Sequence, residues 1–354
     1  MKNLRRATRK VNIGKVSIGG TAFVSVQSMV KVPTRDTKKT SLWIKKLVDS
    51  GCEIVRLAVK TEEDVGALCK IRKKFPEVPL VADIHFHTNL ALRSIDAGVD
   101  AVRINPGNIK SRKDIKAIAK RAQQANIPIR IGVNSGSLGM DSRKRTNPEN
   151  MLHTAREAVK TLEDANFFDI IISLKSSNVK DALSVNRNLA NELDYPFHVG
   201  LTATGDYLSG LIKSTIFIST LLQEGIGDTI RVSLTASPIK EVEAARNILQ
   251  ALRLRSFEPE IISCPGCGRT QINLEAMVSK LRDELKRENV PSCVKVALMG
   301  CEVNGPGEAK EADVGIAAGR KTGVLFKGSR IIKKVDEKDF VKTLIEEVRN
   351  EVDK

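Results

Sequence analysis

The chain has 354 residues, 41% of them hydrophobic and 28% charged, with 58 Lys+Arg against 42 Asp+Glu for a formal net charge of +16. These are the proportions of a soluble globular protein too long for one small core, and no apolar run is long enough to cross a bilayer. So strong a positive balance asks for an anionic partner, but one Trp and two Tyr leave few platforms for stacking bases, which favours a small anion or an acidic protein over nucleic acid.

The basic start, Met1-Lys2-Asn3-Leu4-Arg5-Arg6, leads into no apolar stretch and does not read as a secretory leader. Short β-rich runs then recur at 23–29, 53–59, 79–84, 101–105, 128–133, 169–174, 196–201 and 229–234, with helical patterns between them. Ser111 is a candidate N-cap before Ile115, Ile118, Ala119 and Ala122, and Asn147-Pro148 and Ser237-Pro238 repeat a cap-then-proline start. Eight such β-then-α units predict a (β/α)8 TIM-type barrel over 1–253. An open doubly wound sheet also alternates strand and helix, but its glycine fingerprint after the first strand is missing. Cys52 and Cys69 fall in stretches that read as element interiors, and six cysteines in so long a chain are no disulfide framework, so a reducing, cytoplasmic setting is expected.

After Arg253 the pattern changes. A cysteine turn, a helix at 274–285, an apolar strand at 294–299, short runs at 314–318 and 324–326 and a final helix from Glu337 predict a small α+β domain over 254–354. The boundary is expected between Leu252 and Ile261.

In a barrel of this kind, active sites form where the strands end. The polar residues at those ends are Arg56, Asp83, His85, Arg103, Asn105, Arg130, Asn134, Lys175, His198, Arg231 and Ser233. Five cations at one mouth repel each other and lose solvation unless an anion completes them, and a diphosphate accepts forked hydrogen bonds from guanidinium groups. Taken singly, each is equally a strand-end charge paired with a neighbour or with water. Asp83 and His85 share a face of an extended strand and could bind substrate hydroxyls or move protons. His87 and His153 read as structural or exposed.

The second centre is Cys264-Pro265-Gly266-Cys267 with the glycine-rich run from Gly300-Cys301 to Glu308. Three thiols and a carboxylate seven positions after the last suggest a cluster with one replaceable corner. Zinc stays open if Cys293 supplies a fourth thiolate, although Cys293 reads as a small buried hydrophobe before a strand. A zinc-containing barrel acting on a phosphorylated sugar, and a basic nucleic-acid binder with a metal ribbon, are the competing classes. A redox dithiol lacks the expected strand-to-helix context.

Six segments in one order, Val26-Gln27-Ser28-Met29, Ala82-Asp83-Ile84-His85-Phe86, Val102-Arg103-Ile104-Asn105-Pro106-Gly107, the run from Gly225 to Ser233, and the two cysteine segments, resemble the bacterial 4-hydroxy-3-methylbut-2-enyl diphosphate synthases. These are reductases of the methylerythritol phosphate route to isoprenoids. The resemblance implies a 4Fe-4S cluster on Cys264, Cys267, Cys301 and Glu308, and a cyclic diphosphate substrate, 2-C-methyl-D-erythritol 2,4-cyclodiphosphate. Reduced flavodoxin or ferredoxin would be the electron donor. It also implies a homodimer in which the cluster domain of one chain caps the barrel of the other. Arg56, Arg103, Arg130, Lys175, Arg231 and Ser233 fall where the family binds the diphosphate. One departure stands out: after the seventh strand the family usually reads His-x-Gly-x-Thr-Glu-Ala-Gly, and this chain reads His198-Val199-Gly200-Leu201-Thr202-Ala203-Thr204-Gly205. The glutamate, proposed as an acid-base group, is replaced by Ala203, which leaves Asp83, His85 or water to act, or a family member whose activity is impaired.

Overall fold

A computed structural model describes residues 5–109, 111–138, 147–303, 307, 309–328 and 330–352. It divides into two compact units, Met1–Arg255 and Ser256–Lys354.

The first unit opens with a hairpin, β1 (Val11–Ile13) and β2 (Val16–Ile18), which the sequence pattern did not reveal. Eight parallel strands follow: β3 (Ser25–Met29), β4 (Ile54–Val59), β5 (Leu80–Ile84), β6 (Ala101–Ile104), β7 (Ile129–Asn134), β8 (Ile170–Lys175), β9 (His198–Val199) and β10 (Thr229–Ile230). Each falls on one of the eight expected runs, with β7 and β8 extending one residue beyond theirs, to Asn134 and Lys175. They neighbour one another in the order β8-β7-β6-β5-β4-β3-β10-β9, and a parallel bridge between Ile172 and Phe197 joins β8 to β9 to close the ring. The barrel, not the open sheet, is the architecture.

Helices α1 (Thr37–Asp49), α2 (Glu62–Lys74), α3 (Thr88–Asp96), α4 (Arg112–Ala125), α5 (Asn147–Glu163), α6 (Val179–Glu192), α7 (Tyr207–Gln223) and α8 (Pro238–Ala251) return the chain between strands. Their starts are chemical. Ser111 accepts from Asp114 N at 3.3 Å, and Ser237 accepts from Ile239 N with Pro238 in the first turn, as the cap signals required. The strands are buried on both faces, which is why they read as nearly continuous apolar runs, with β8 fully buried from end to end.

The barrel interior is layered. At the end where strands begin, Ile54, Val81, Ala101 and Ile171 pack against Val11, Ile13 and Ile18 of the hairpin, so this floor is apolar and plugged. The basic N-terminus is spent locally. Arg6 donates to the carbonyls of Ala190 and Tyr195 at 2.8 and 2.6 Å, and Arg5 pairs with Asp228 at 2.5 Å. Cys52 is buried in front of β4, and burial pushes its thiol up to about 12, which makes it inert at neutral pH; Cys69 is exposed on α2.

The second unit is a five-stranded sheet in the order β11 (Glu260–Ser263), β12 (Lys295–Met299), β13 (Val314–Ala318), β14 (Thr322–Lys327), β15 (Arg330–Asp336). β11, β12 and β13 are mutually parallel, β14 runs antiparallel to β13, and β15 runs antiparallel to β14. Helices α9 (Leu274–Arg287) and α10 (Phe340–Val352) supply Leu281, Leu285, Phe340 and Leu344 to its core. Cys293 corrects an expectation: it is exposed, not buried. It stands before β12, whereas Cys264 and Cys301 follow the far ends of β11 and β12, so a four-thiolate zinc site is excluded by strand direction.

No described helix is long and apolar enough to cross a membrane. The plug makes a prediction. Ile13→Ala removes a fully buried side chain from the barrel floor and should lower stability by about 2–5 kcal/mol, read as an earlier transition of the barrel in urea.

Candidate active site

The upper layer of the barrel is charged where a (β/α)8 interior is ordinarily filled by branched apolar side chains. Strand register creates it. Asp83 of β5 lies beside Arg103 of β6, and Arg103 beside Arg130 of β7. Together with Arg56, His85, Asn134, Lys175, Arg231 and Ser233, these three line one pocket. Asn105 and His198 do not line it. Asn105 Oδ1 accepts from Gly107 N at 3.1 Å, and His198 is buried beneath the mouth with both ring nitrogens unpartnered. Ser173, Leu201 and Thr202 line the pocket unforeseen. Ser173 had a signal: it stands two positions before Lys175 on one strand and so shares its face.

The cations are buried. Arg130 is 0% exposed, and Arg103 and Lys175 are 4% and 6%. Against five cations stand two buried carboxylates. Asp83 contacts Arg103 Nη1 at 3.2 Å, Arg56 Nε at 3.8 Å and His85 Nε2 at 3.4 Å. Burial works to raise its carboxyl, but Arg56, Arg103 and His85 outweigh that and hold it well below the usual carboxylate range. Glu241 of α8 contacts Arg231 at 3.5 Å while also taking Lys31 at 2.8 Å, Ser28 at 3.0 Å and Leu234 N at 3.0 Å. Its capacity is used.

Arg130 has no such partner: none of its three guanidinium nitrogens has a hydrogen bond among the described residues. Burial, then the nearby Arg56, lower its affinity for a proton well below the ordinary arginine value. Lys175 is depressed in the same way, by burial and then by Arg56, Arg231, Arg130 and Arg103. A buried charge with neither partner nor water costs several kcal/mol. The arrangement is therefore completed by an anion that several donors can share. Its shape is fixed at one point by a glycine: a Cβ on Gly132 would sit 2.1 Å from Arg103 Nε, and the Gly132 carbonyl accepts from Arg103 Nη2 at 2.8 Å.

His85 sits at the rim, with 39% of its side chain exposed. Its Nε2 lies 2.9 Å from Arg103 Nη1. The same nitrogen lies 3.4 Å from Asp83 Oδ2, so the ring's tautomer decides whether it accepts from Arg103 or donates to Asp83. Ala203 is exposed outside the pocket lining at φ 51°, in the left-handed region, directly after Leu201 and Thr202. His87 and His153 are both exposed.

In the second unit, the loops after β11 and β12 are tied together. Gly300 N donates to Cys264 Sγ at 3.3 Å, and Gln271 N donates to Gly300 O at 2.9 Å. A Cβ on Gly300 would meet Thr270 Cγ2 at 2.9 Å, so this close approach needs glycine. Thr270 also braces the cysteine turn, accepting from Cys267 N at 2.9 Å. Cys264, Cys267 and Cys301 are all free thiols, Cys267 exposed and the others half-buried. Among the described residues no three His, Cys, Asp or Glu side chains stand close enough to hold a metal ion, and Glu308 lies outside the described residues. The donor chemistry still fits a thiolate-held cluster: soft ligands on two loops already bonded to each other, with a backbone N–H directed at one sulfur.

Comparison with known proteins follows the same division. The GcpE TIM-barrel domain matches residues 8–246, and the GcpE protein C-terminal domain matches residues 260–350. A relative from Clostridium acetobutylicum is 50% identical over 349 residues, covering 98% of this chain and 99% of its own. One from Thermodesulfovibrio yellowstonii is 48% identical over 348 residues, covering 98% and 99%. Both are named 4-hydroxy-3-methylbut-2-en-1-yl diphosphate synthase (flavodoxin). Among solved structures, dihydropteroate synthase from Stenotrophomonas maltophilia superposes with a TM-score of 0.52 at 15% identity, covering 70% of this chain and 98% of that one. Type I 3-dehydroquinate dehydratase from Clostridium difficile gives 0.51 at 16% identity, covering 69% and 98%. Those two likenesses establish the barrel fold alone.

Two predictions rest on the buried charges. Arg130→Met should stabilise the unliganded protein by about 1 kcal/mol or more while abolishing the rise in melting temperature given by inorganic pyrophosphate. A destabilised variant that pyrophosphate still protects would refute the assignment. His198, held neutral first by burial and then by Arg130 and Lys175, lies well below its ordinary 6.5. The unfolded chain takes up a proton there below pH 6.5 and the folded chain does not, so stability should fall by about 1.4 kcal/mol per pH unit between roughly 6 and 5. That slope should flatten in His198→Asn, measured by urea titrations across pH.

Proposed function

The chain belongs to the GcpE family in both of its units, and from that membership we propose that it converts 2-C-methyl-D-erythritol 2,4-cyclodiphosphate to 4-hydroxy-3-methylbut-2-enyl diphosphate. The reaction opens the ring and removes a hydroxyl, taking up two electrons and one proton and releasing water. The observation that carries this reading is the buried Arg130 guanidinium, without a hydrogen-bond partner among the described residues, in a mouth lined by five cations and one carboxylate, Asp83.

Arg56, Arg103, Arg130, Lys175 and Arg231 hold the diphosphate, and Ser233, Asn134, Ser173 and Thr202 add neutral contacts around it. The pocket's positive excess suits the reaction's course. In the ring each phosphorus carries one ionised oxygen; breaking the ring's carbon–oxygen bond leaves its electron pair on a phosphate oxygen and adds negative charge. Preorganised cations then bind the transition state more strongly than the substrate, which is the condition for rate acceleration. Asp83, held ionised between Arg56 and Arg103, orients substrate hydroxyls and does not supply protons at neutral pH. His85, at the solvent edge, delivers the proton to the departing hydroxyl in place of the missing acid at Ala203.

We assign Cys264, Cys267, Cys301 and Glu308 as holders of a 4Fe-4S cluster, which when bound supplies electrons singly from a reduced flavodoxin or ferredoxin. Gly300 N–H steadies the Cys264 sulfur, and Thr270 holds the Cys267 turn closed. A homodimer belongs to the same reading and is checked by sedimentation.

The test is anaerobic. The reconstituted protein should be brown, contain acid-labile sulfide and consume the cyclodiphosphate with dithionite. Cys301→Ser should lose colour and turnover together, and Glu308→Gln should retain the barrel while losing iron more readily to chelator. A colourless, zinc-containing protein or an intact cluster without turnover would overturn the reading.

A further inference from the structure

The end of the small sheet that carries the cysteines also carries a rim of exposed cations. β11, β12 and β13 are parallel, so the loops that follow them emerge at one edge. These loops hold Cys264, Cys301 and the tight turn at 319–321 respectively. The turn is rigid. Gly319 N donates to Thr322 O at 2.7 Å, Lys321 takes φ 62°, and Glu337 N donates to Lys321 O at 3.0 Å. It also abuts the second cysteine loop, because a Cβ on Gly319 would meet Glu302 Oε2 at 3.4 Å.

Arg320 and Lys321 therefore project from a fixed tip beside the residue that follows Cys301, and both are exposed. Arg269, two positions after the exposed Cys267, is exposed as well. Among the described residues none of the three has an ion-pair partner, whereas Lys327 and Lys295 elsewhere in this unit are each held between two glutamates. Val303, 63% exposed, adds an apolar contact two positions after Cys301.

We propose that this edge is the docking face for a small acidic electron-carrier protein, with Arg269, Arg320 and Lys321 steering it and Val303 as the apolar contact. The inference rests on the reading of the chain as a carrier-dependent reductase. In the homodimer of that reading the other subunit's barrel comes to the same edge, so an electron carrier must approach the thiol-held group closely yet leave after each delivery. Redox encounters meet that demand with small interfaces, and opposite charges raise their association rate without making them permanent. The rigid backbone at the tip keeps the ordering cost of docking low.

The experiment uses the full, cluster-loaded chain with two reductants, purified reduced flavodoxin and dithionite. Arg320→Glu with Lys321→Glu should raise the KM for flavodoxin about ten-fold and flatten its dependence on salt, while the dithionite-driven rate stays within about two-fold. Arg320→Gln with Lys321→Gln should fall between the two. Flavodoxin binding to the immobilised chain, measured at low and high salt, should weaken in the same order. Equal loss with both reductants, or an unchanged flavodoxin KM and binding, would overturn the docking face. No dithionite-driven turnover in the unaltered chain would instead overturn the proposed function.

Discussion

Everything in the barrel unit is arranged around positive charge that the protein itself does not neutralise. The hairpin β1–β2 closes the barrel floor with apolar side chains, so the upper layer is free to be polar, and strand register sets Asp83, Arg103 and Arg130 in one lateral row. Asp83 cannot satisfy its neighbours alone. Its lowered carboxyl shows how fully it is already engaged, and Glu241 is consumed by Arg231, Lys31, Ser28 and a backbone N–H. The remaining excess belongs to a ligand. Stability is given up in the free protein so that binding energy is available at the pocket, a recurrent compromise at sites held in strained or unsatisfied states.

The parts of this architecture that burial dictates were readable from the chain. Strands buried on both faces must be apolar runs, and the eight runs match eight strands; caps at Ser111 and Ser237 are set by backbone groups that need an acceptor. The parts that depend on facing direction were not. β15, Arg330–Asp336, is exposed along most of its length, and its Ile-Ile-Lys-Lys run carries no inside–outside alternation. Cys293 looked like a core hydrophobe because a strand follows it, yet it precedes the first residue that turns inward. His198 and Asn105 are polar residues at strand ends like the others, but depth in the barrel is set by shear between strands, which no single strand's sequence contains.

The two units distribute their chemistry differently. In the barrel, function sits on strand ends whose register is rigid, and the charged groups are positioned before anything binds. In the small unit, function sits on loops joined by few bonds: Gly300 to Cys264 and Gln271, and Thr270 to Cys267. Thiol ligands are drawn together by the group they hold, so such loops need only be close and correctly handed. The nearness of the loops at 264–267 and 300–301 was legible in sequence for the same reason: the spacing and glycines that bring two loops together are local.

Charge also sets the direction of the chemistry. Opening the cyclic diphosphate increases the negative charge on the phosphates, so a pocket with positive excess binds the product side better than the substrate side. This helps bond breaking and hinders release. His85, 39% exposed, stands at the rim, and Lys175 lies buried below it, where burial and then its cationic neighbours lower its affinity for a proton. A bound anion favours the charged form of Lys175, so its hold on the anion and its hold on the proton strengthen each other. Arginine makes little such adjustment, since it stays protonated in nearly all settings. The lysine among four arginines is thus the cation of this mouth whose proton affinity responds most readily to the charge bound beside it.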